Sequence, residues 1–405
     1  MKLRPDLALF TLGDELVVFS EENQRVVGLN ASAAVVFHAL QQGASTSELV
    51  EILVSERLAP AEEAEKWVAR TLDGFSSQGM FADIPAQPLP MDQLEEHRAR
   101  AARRIEEMPP FAPFEPALER RYRLLQTVVL IRFALPEQVP RVDSVIGHLA
   151  INDSSSPTMI LDIQGHKLQN RSRSDIYLNG ERAGFAVGLF RLGPMVKSIL
   201  WYKAIEAYDY LFYFHAGVVG EGERCILLPA AAGSGKSSLT GALTHRGFRY
   251  FSDEVALVAP NTFWVSPMPL ALCVKETGWD LMARYYPEVS TLPNHQRFDG
   301  KIVRYLAPPA SVTHQASAPV SHIIFPRYSK GGATEIRPVS RVETLRRLME
   351  ECLALRHQLS QDDVAKLVQW IAGIDCYELV FSSLEQAAEL VAEVVANENQ
   401  LRKIS

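Results

Sequence analysis

Apolar and polar positions alternate in short runs near the N-terminus and then give way to a helical rhythm. Leu16-Val-Val-Phe19 and Arg25-Val-Val-Gly-Leu29 flank the polar Ser20-Glu-Glu-Asn-Gln24, which predicts a hairpin. Asn30 then caps a predicted helix from Ala31 to Leu40, stopped by Gly43. Ser45 and Glu48 have capping-box spacing and open a second helix, Leu49 to Glu56. A third starts at Pro60 and sets Ala64, Trp67, Val68, Thr71, Leu72 and Phe75 on one face. A hairpin with three short helices predicts a small, self-contained winged-helix α+β domain over residues 1–82.

Residues 83–120 break the pattern. Pro85, Pro88 and Pro90 precede a charged helix, Leu94–Glu107, with little apolar face, and Pro109, Pro110, Pro113 and Pro116 follow; this predicts a semi-rigid linker. Order returns at Tyr122, with strands expected at Thr127–Phe133 and Thr158–Ile163 and a helix at Gln138–Leu149. A hairpin over Ile176–Phe185 turns at Asn179-Gly180, and an amphipathic helix runs from about Phe190 to Tyr210. Residues 121–210 therefore read as an α/β subdomain with no chemistry of its own, packed on a catalytic domain at 211–405. In the tail, Val339–Leu359 and Gln361–Gly373 read as helices, Cys376–Phe381 as a strand and the residues from Ser383 as a last amphipathic helix, completing the α/β layers.

Composition narrows the class. In 405 residues, 47% are hydrophobic and 22% charged, as in a globular protein with more than one core. The net charge of −7 offers no electrostatic case for nucleic acid. The second and third helices sharpen this: Glu48, Glu51, Glu56, Glu62, Glu63 and Glu65 outnumber Arg57, Lys66 and Arg70, so a phosphate backbone would be repelled. Cys225, Cys273, Cys352 and Cys376 are scattered, without metal-ligand spacing or a disulfide framework, which predicts a reducing compartment. With no membrane-length apolar run and no signal-peptide pattern, the expectation is a cytoplasmic protein.

The chemistry centres on Leu227-Leu-Pro-Ala-Ala-Ala-Gly-Ser-Gly-Lys-Ser-Ser-Leu239, an apolar strand, a glycine loop and a helix start. Small residues let the backbone N–H groups of Gly233, Ser234 and Gly235 converge on phosphate oxygens, and the helix N-terminus adds partial positive charge. Lys236 would reach the β/γ-phosphates, Ser237 would ligate Mg²⁺, and Ser238 completes the turn. The pattern departs at Ala230, where the phosphate-loop motif has its leading glycine. If that position needs positive φ, alanine costs about 1 kcal/mol, and otherwise nothing. Beyond the loop, Asp253-Glu254 follows the apolar Tyr250-Phe-Ser252. In a regular strand only one of the two carboxylates faces the phosphates, whereas a bend after Ser252 brings in both. Phosphoryl transfer needs a carboxylate at the metal and one at the attacking hydroxyl, and the sequence leaves open which is which.

Two resemblances follow from these residues. Val26-Val-Gly-Leu-Asn-Ala-Ser-Ala-Ala-Val-Val-Phe37 resembles the PqqD-like family, whose members recognise precursor peptides of ribosomally made, modified peptides. The resemblance implies that a leader peptide adds a strand to the sheet edge and lies against the third helix, with ladder bonds giving affinity and pockets giving selectivity. His215-Ala-Gly, the glycine loop, Phe251-Ser-Asp-Glu254 and Leu272-Cys-Val-Lys275 resemble the HPr kinase/phosphorylase family over about 211–280, continuing weakly through Ile324-Phe-Pro-Arg-Tyr328. It implies an α/β fold with a P-loop kinase core of the HPr kinase type, using ATP and Mg²⁺. Asp253 matches the general base, Glu254 the second acidic residue near the metal, and His215 a histidine beside the phosphates. Lys275 also falls within a matching segment, and Lys301, Arg304 and Arg327 are candidates for neutralising charge on the transferring group.

Together these imply a kinase of a Ser/Thr hydroxyl on a precursor peptide, with other peptide-modifying enzymes as further partners. The alternatives are a nucleotide-gated peptide-presenting protein without chemistry, and a kinase of a carrier protein or small molecule.

Overall fold

Leu16-Val-Val-Phe19 becomes the middle strand, Glu15–Ser20, of a three-stranded antiparallel sheet with Leu7–Leu12 and Arg25–Leu29 at its edges. The structure, a computed structural model, describes residues 2–85, 105–168, 171–309 and 316–404. The expected helix Leu94–Glu107 lies, up to residue 104, outside them. The chain divides into two compact units: Met1–Asp92 with Arg337–Tyr377, and Gln93–Ile336 with Glu378–Ser405.

In the first unit, strand alternation sends Val18 and Leu29 into a core with Phe37, Leu40, Leu49, Leu53, Val68, Leu72 and Phe75. The helices supplying that core are Ala31–Gln41, Thr46–Ser55 and Ala64–Ser77. Asn30 caps the first by accepting from the Ala33 N–H at 2.9 Å, and Ser45 and Glu48 form the expected capping box. The third helix begins at Ala64 rather than Pro60, because residues 61–63 turn before it.

The other sheet face corrects the idea of a self-contained domain. Val17 and Phe19 point there and are fully buried. Helices Arg341–Glu350 and Gln361–Ala372, expected within the catalytic domain, lie against this sheet. Gly28, opposite Val17 in register, faces Val342 so closely that a Cβ would meet its methyl at 2.2 Å. The Glu15 carboxylate accepts from the Ser340 hydroxyl (3.3 Å) and the Val342 N–H (3.2 Å), at the start of the first of these helices. The Gln24 amide exchanges hydrogen bonds with both backbone groups of Leu359, at 3.1 and 2.6 Å.

The second unit contains a six-stranded sheet in the order Ala150–Ile151, Leu118–Leu124, Thr127–Phe133, Met159–Leu168, Arg171–Leu178, Glu181–Val187. Its last hairpin turns at Asn179-Gly180, both at positive φ. Leu118–Leu124 is a full strand that begins inside the stretch read as linker. Helices Val139–Ile146 and Leu192–Glu206 pack together, and the latter also lies on this sheet.

A second, six-stranded sheet includes, side by side, Arg249–Ser252, Ala216–Glu221, Arg224–Pro229 and Val320–Tyr328; the first two of these pairings are antiparallel and the third is parallel. A small sheet of Leu272–Lys275, Ile302–Leu306 and His295–Gln296 stands apart. Among the described residues no helix is long and apolar enough to cross a membrane.

Candidate active site

Strand Arg224–Pro229 is buried from Cys225 onward and runs straight into the glycine loop, after which helix Lys236–His245 begins. Gly233 and Gly235 hold φ of +97° and +87°, conformations that glycine adopts without steric penalty. A Cβ on Gly235 would also lie 2.6 Å from the Phe381 ring. Ala230 is not among the positive-φ residues, so its methyl group costs nothing. The loop crest, Ala231–Gly233, is exposed. Helix Lys236–His245 sits close on strand Ala216–Glu221 because Gly217 lacks a side chain; a Cβ there would be 2.4 Å from Thr240 Oγ1. This gives the glycine of His215-Ala-Gly its physical reason.

Lys236 is only 6% exposed, and its Nζ donates to the Ala230 carbonyl at 3.1 Å, folding the ammonium back over the loop. Ser234 Oγ is buried and has no hydrogen-bond partner among the described residues. Ser237 and Ser238 are half-buried in the first helical turn.

The chain bends after Ser252, so Asp253 and Glu254 leave the strand and join one electrostatic cluster with Lys236. Asp253 is 3% exposed. Burial pushes its carboxyl above the usual range and the Glu254 charge adds to this, while Lys236, the Ser237 hydroxyl and the Cys273 N–H pull it back. The Cys273 N–H reaches Oδ2 at 3.4 Å, whereas Oδ1 is buried without a well-formed hydrogen bond among the described residues. Glu254 turns to other cations. Its Oε2 is 2.9 Å from Lys197 Nζ and its Oε1 is 3.8 Å from Arg297 Nη1. Burial raises Glu254, but the Lys197 charge and hydrogen bond outweigh it, with Arg297 and Lys236, and hold it at about 2.

The other sequence-chosen residues separate into two groups. His215 lies between Phe214, which pairs with Ala256, and Ala216, which pairs with Pro229; it therefore sits where the loop strand and the Asp253 bend come together. Arg327 precedes Tyr328, whose N–H donates to the Ser234 carbonyl at 2.9 Å; yet Arg327 itself is 61% exposed and 4.0 Å from Glu378. Lys275 ends strand Leu272–Lys275, half-buried, and forms no ion pair with either carboxylate. Arg304 is structural: it bonds Asn294 and the Val289 carbonyl and lies 3.9 Å over Trp279. Lys301 pairs with Asp299 at the surface, at 3.3 Å.

The cations beside Glu254 are thus Lys197 and Arg297, neither chosen from sequence. For Lys197 a signal existed. It falls on the apolar stripe Gly193, Lys197, Leu200, Ala204 of its helix, where a lysine needs a buried partner. The subdomain read as free of chemistry therefore supplies a charge to the cluster. Arg297 lies in the turn between strands His295–Gln296 and Ile302–Leu306, with Cys273 Sγ 3.6 Å from its Nη1, and nothing in its sequence neighbours marks it.

Among the described residues, no three His, Cys, Asp or Glu side chains gather as a metal cage. Mg²⁺ is commonly held by one or two carboxylates together with substrate phosphates, so the buried Asp253 carboxylate beside Ser237 and Lys236 fits a nucleotide-borne Mg²⁺.

Residues 15–80 match the family model described as Coenzyme PQQ synthesis protein D (PqqD). The N-terminal module is PqqD-like, as Val26–Phe37 suggested. Solved structures that resemble the chain include one described as TbiB1 in complex with the TbiA(beta) leader peptide. It is 18% identical, covering 21% of this chain and 99% of that one, with a TM-score of 0.20. Another is the Hpr(Ser) kinase/phosphatase from Coxiella burnetii, 13% identical, covering 48% of this chain and 99% of that one, with a TM-score of 0.21. No curated protein matches the chain.

Proposed function

We propose that this protein is an ATP- and Mg²⁺-dependent kinase that phosphorylates a Ser or Thr hydroxyl of a ribosomally made precursor peptide, whose leader is held by the PqqD-like module. The observation that supports the transfer chemistry best is the buried Asp253, its carboxyl raised above the usual range, beside the lysine and serine that open the loop helix. Backbone N–H groups of Gly233 to Gly235 would cradle the phosphates. Lys236 would exchange its Ala230 carbonyl for a phosphate oxygen, and Ser237 with Asp253 would hold the metal. Bound Mg²⁺ would supply neutralisation of the charge on the transferring phosphoryl group. Asp253 would orient the acceptor hydroxyl and take its proton, a role favoured by a carboxyl raised above its ordinary range. Carrying recognition and transfer on one chain raises the local acceptor concentration to roughly mM.

The test is mass spectrometry of candidate precursor peptides after incubation with Mg²⁺–ATP, with Lys236→Ala as control. Gain of one phosphoryl group, absent from the control, supports the kinase. Nucleotide bound but unhydrolysed, with no modified peptide, supports the presenting protein instead.

A further inference from the structure

Strand Val320–Tyr328 is buried from Val320 to Pro326 and then surfaces at Arg327 and Tyr328. It runs parallel to the strand Arg224–Pro229 that feeds the glycine loop, so the carboxyl ends of both open on the side where ligands of α/β sheets bind. We propose that the ring of Tyr328 is the platform on which the base of the bound nucleotide stacks, so that this residue holds the nucleoside while the glycine loop holds the phosphates. The inference rests on the reading of the loop as a nucleotide site and adds a base subsite to it.

Tyr328 is fastened to the loop. Its N–H donates to the Ser234 carbonyl at 2.9 Å, and its Cβ lies 3.4 Å from where a Cβ on Gly235 would stand. The Phe381 ring, 2.6 Å from that same point, meets the Tyr328 ring edge-to-face, with centroids 5.8 Å apart and planes at 68°. The next N–H, of Ser329, donates to the Phe381 carbonyl at 2.8 Å. Phe381 is only 2% exposed, whereas Tyr328 keeps half of its surface in water. A lone exposed aromatic is ordinary on a protein surface. Of the exposed aromatic residues among those described, Phe190, Trp264, Phe298 and Tyr328, only Tyr328 donates a hydrogen bond to the loop. Main-chain bonds on both sides set its position before any ligand arrives. The base of a nucleotide hangs from the phosphate chain by a ribose, so it comes down on the rim of the loop that holds the phosphates. An aromatic ring there offers a π-surface to any base, which is worth about tenfold in affinity.

Calorimetry on the full-length protein, with Mg²⁺–ADP and Mg²⁺–pyrophosphate as probes, separates base from phosphates. Tyr328→Ala is expected to bind ADP about tenfold more weakly and pyrophosphate as the wild type does. Tyr328→Phe keeps the ring and should match the wild type for both probes. Should Tyr328→Ala not fold, Tyr328→Leu takes its place, since it keeps an apolar side chain against Phe381 without a ring. An unchanged ADP affinity in the folded ringless variant overturns the inference. An equal loss for ADP and pyrophosphate does so too, because Tyr328 then supports the loop rather than the base. A tenfold loss of ADP affinity in Tyr328→Phe assigns the contact to the hydroxyl and likewise overturns stacking. If the wild type binds neither probe, the nucleotide reading of the loop fails and takes this inference with it. If it binds both and the ringless variant does the same, this inference alone fails.

Discussion

At the residue scale, conformation and burial decide what each loop position tolerates. Ala230 replaces the leading glycine without needing positive φ, so Ala230→Gly should leave nucleotide affinity unchanged by calorimetry. Gly235 is the opposite case. Its φ of +87° and the Phe381 ring 2.6 Å from a would-be Cβ make Gly235→Ala strained on two counts. That variant should lose about 1–3 kcal/mol of stability and bind nucleotide measurably more weakly. Asp253→Asn keeps shape but trades one acceptor oxygen for a donor and cannot take a proton. Transfer should fall about 10²–10⁴-fold while binding of metal-free nucleotide persists; retained turnover would remove Asp253 as base.

At the element scale, the PqqD-like sheet is buried on both faces. Helices Arg341–Glu350 and Gln361–Ala372 cover the face that carries Val17, Phe19 and Gly28. Residues 2–85 expressed alone should therefore expose that face and give a broad, weakly cooperative melt, or aggregate. In the full chain, Val342→Asp puts a charge 2–3 Å from where Gly28 lacks a side chain, and should cost about 3 kcal/mol or more by denaturant unfolding. A cooperative, stable 2–85 fragment would show that the second face needs no cover. Sequence reading missed this because period-two alternation tells that strand residues face two sides, not that helices some three hundred positions later cover one of them. The capping residues Asn30, Ser45 and Glu48 were legible because a cap involves only neighbours.

At the scale of the whole molecule, deleting residues 1–82 does not separate the proposed recognition from the proposed transfer, since it also strips the partners of Arg341–Glu350 and Gln361–Ala372. Shortening the peptide is the cleaner test. An acceptor peptide without its leader should show a KM raised about 10²-fold, with kcat at saturation little changed. Acid stability offers a second global readout. His295 is buried against Ser144, 3.0 Å from its hydroxyl, and burial lowers its pKa from 6.5 to about 4, opposed by the Phe190 carbonyl and helped by the Arg141 charge. Between those values the unfolded chain binds a proton that the folded one refuses. Stability therefore falls as pH drops from 6.5 toward 4, by about 3 kcal/mol at most, and no further below it. Urea unfolding at pH 7 and 4.5 should show that this loss shrinks in His295→Asn.

The sequence by itself determined what depends on neighbours along the chain: the hairpins, the helix caps, the strand–loop–helix run of Arg224–His245, and the carboxylates waiting at 253–254. Each is written within about two dozen residues, where backbone preference and side-chain period act directly. Only the tertiary structure decided which charges meet. Lys197 stands 57 positions before Glu254 and Arg297 stands 43 after it; what selects them is the packing of a helix and a turn around one buried carboxylate. A buried charge must find an opposite one, but which one it finds depends on distance in space, and no local pattern carries that distance.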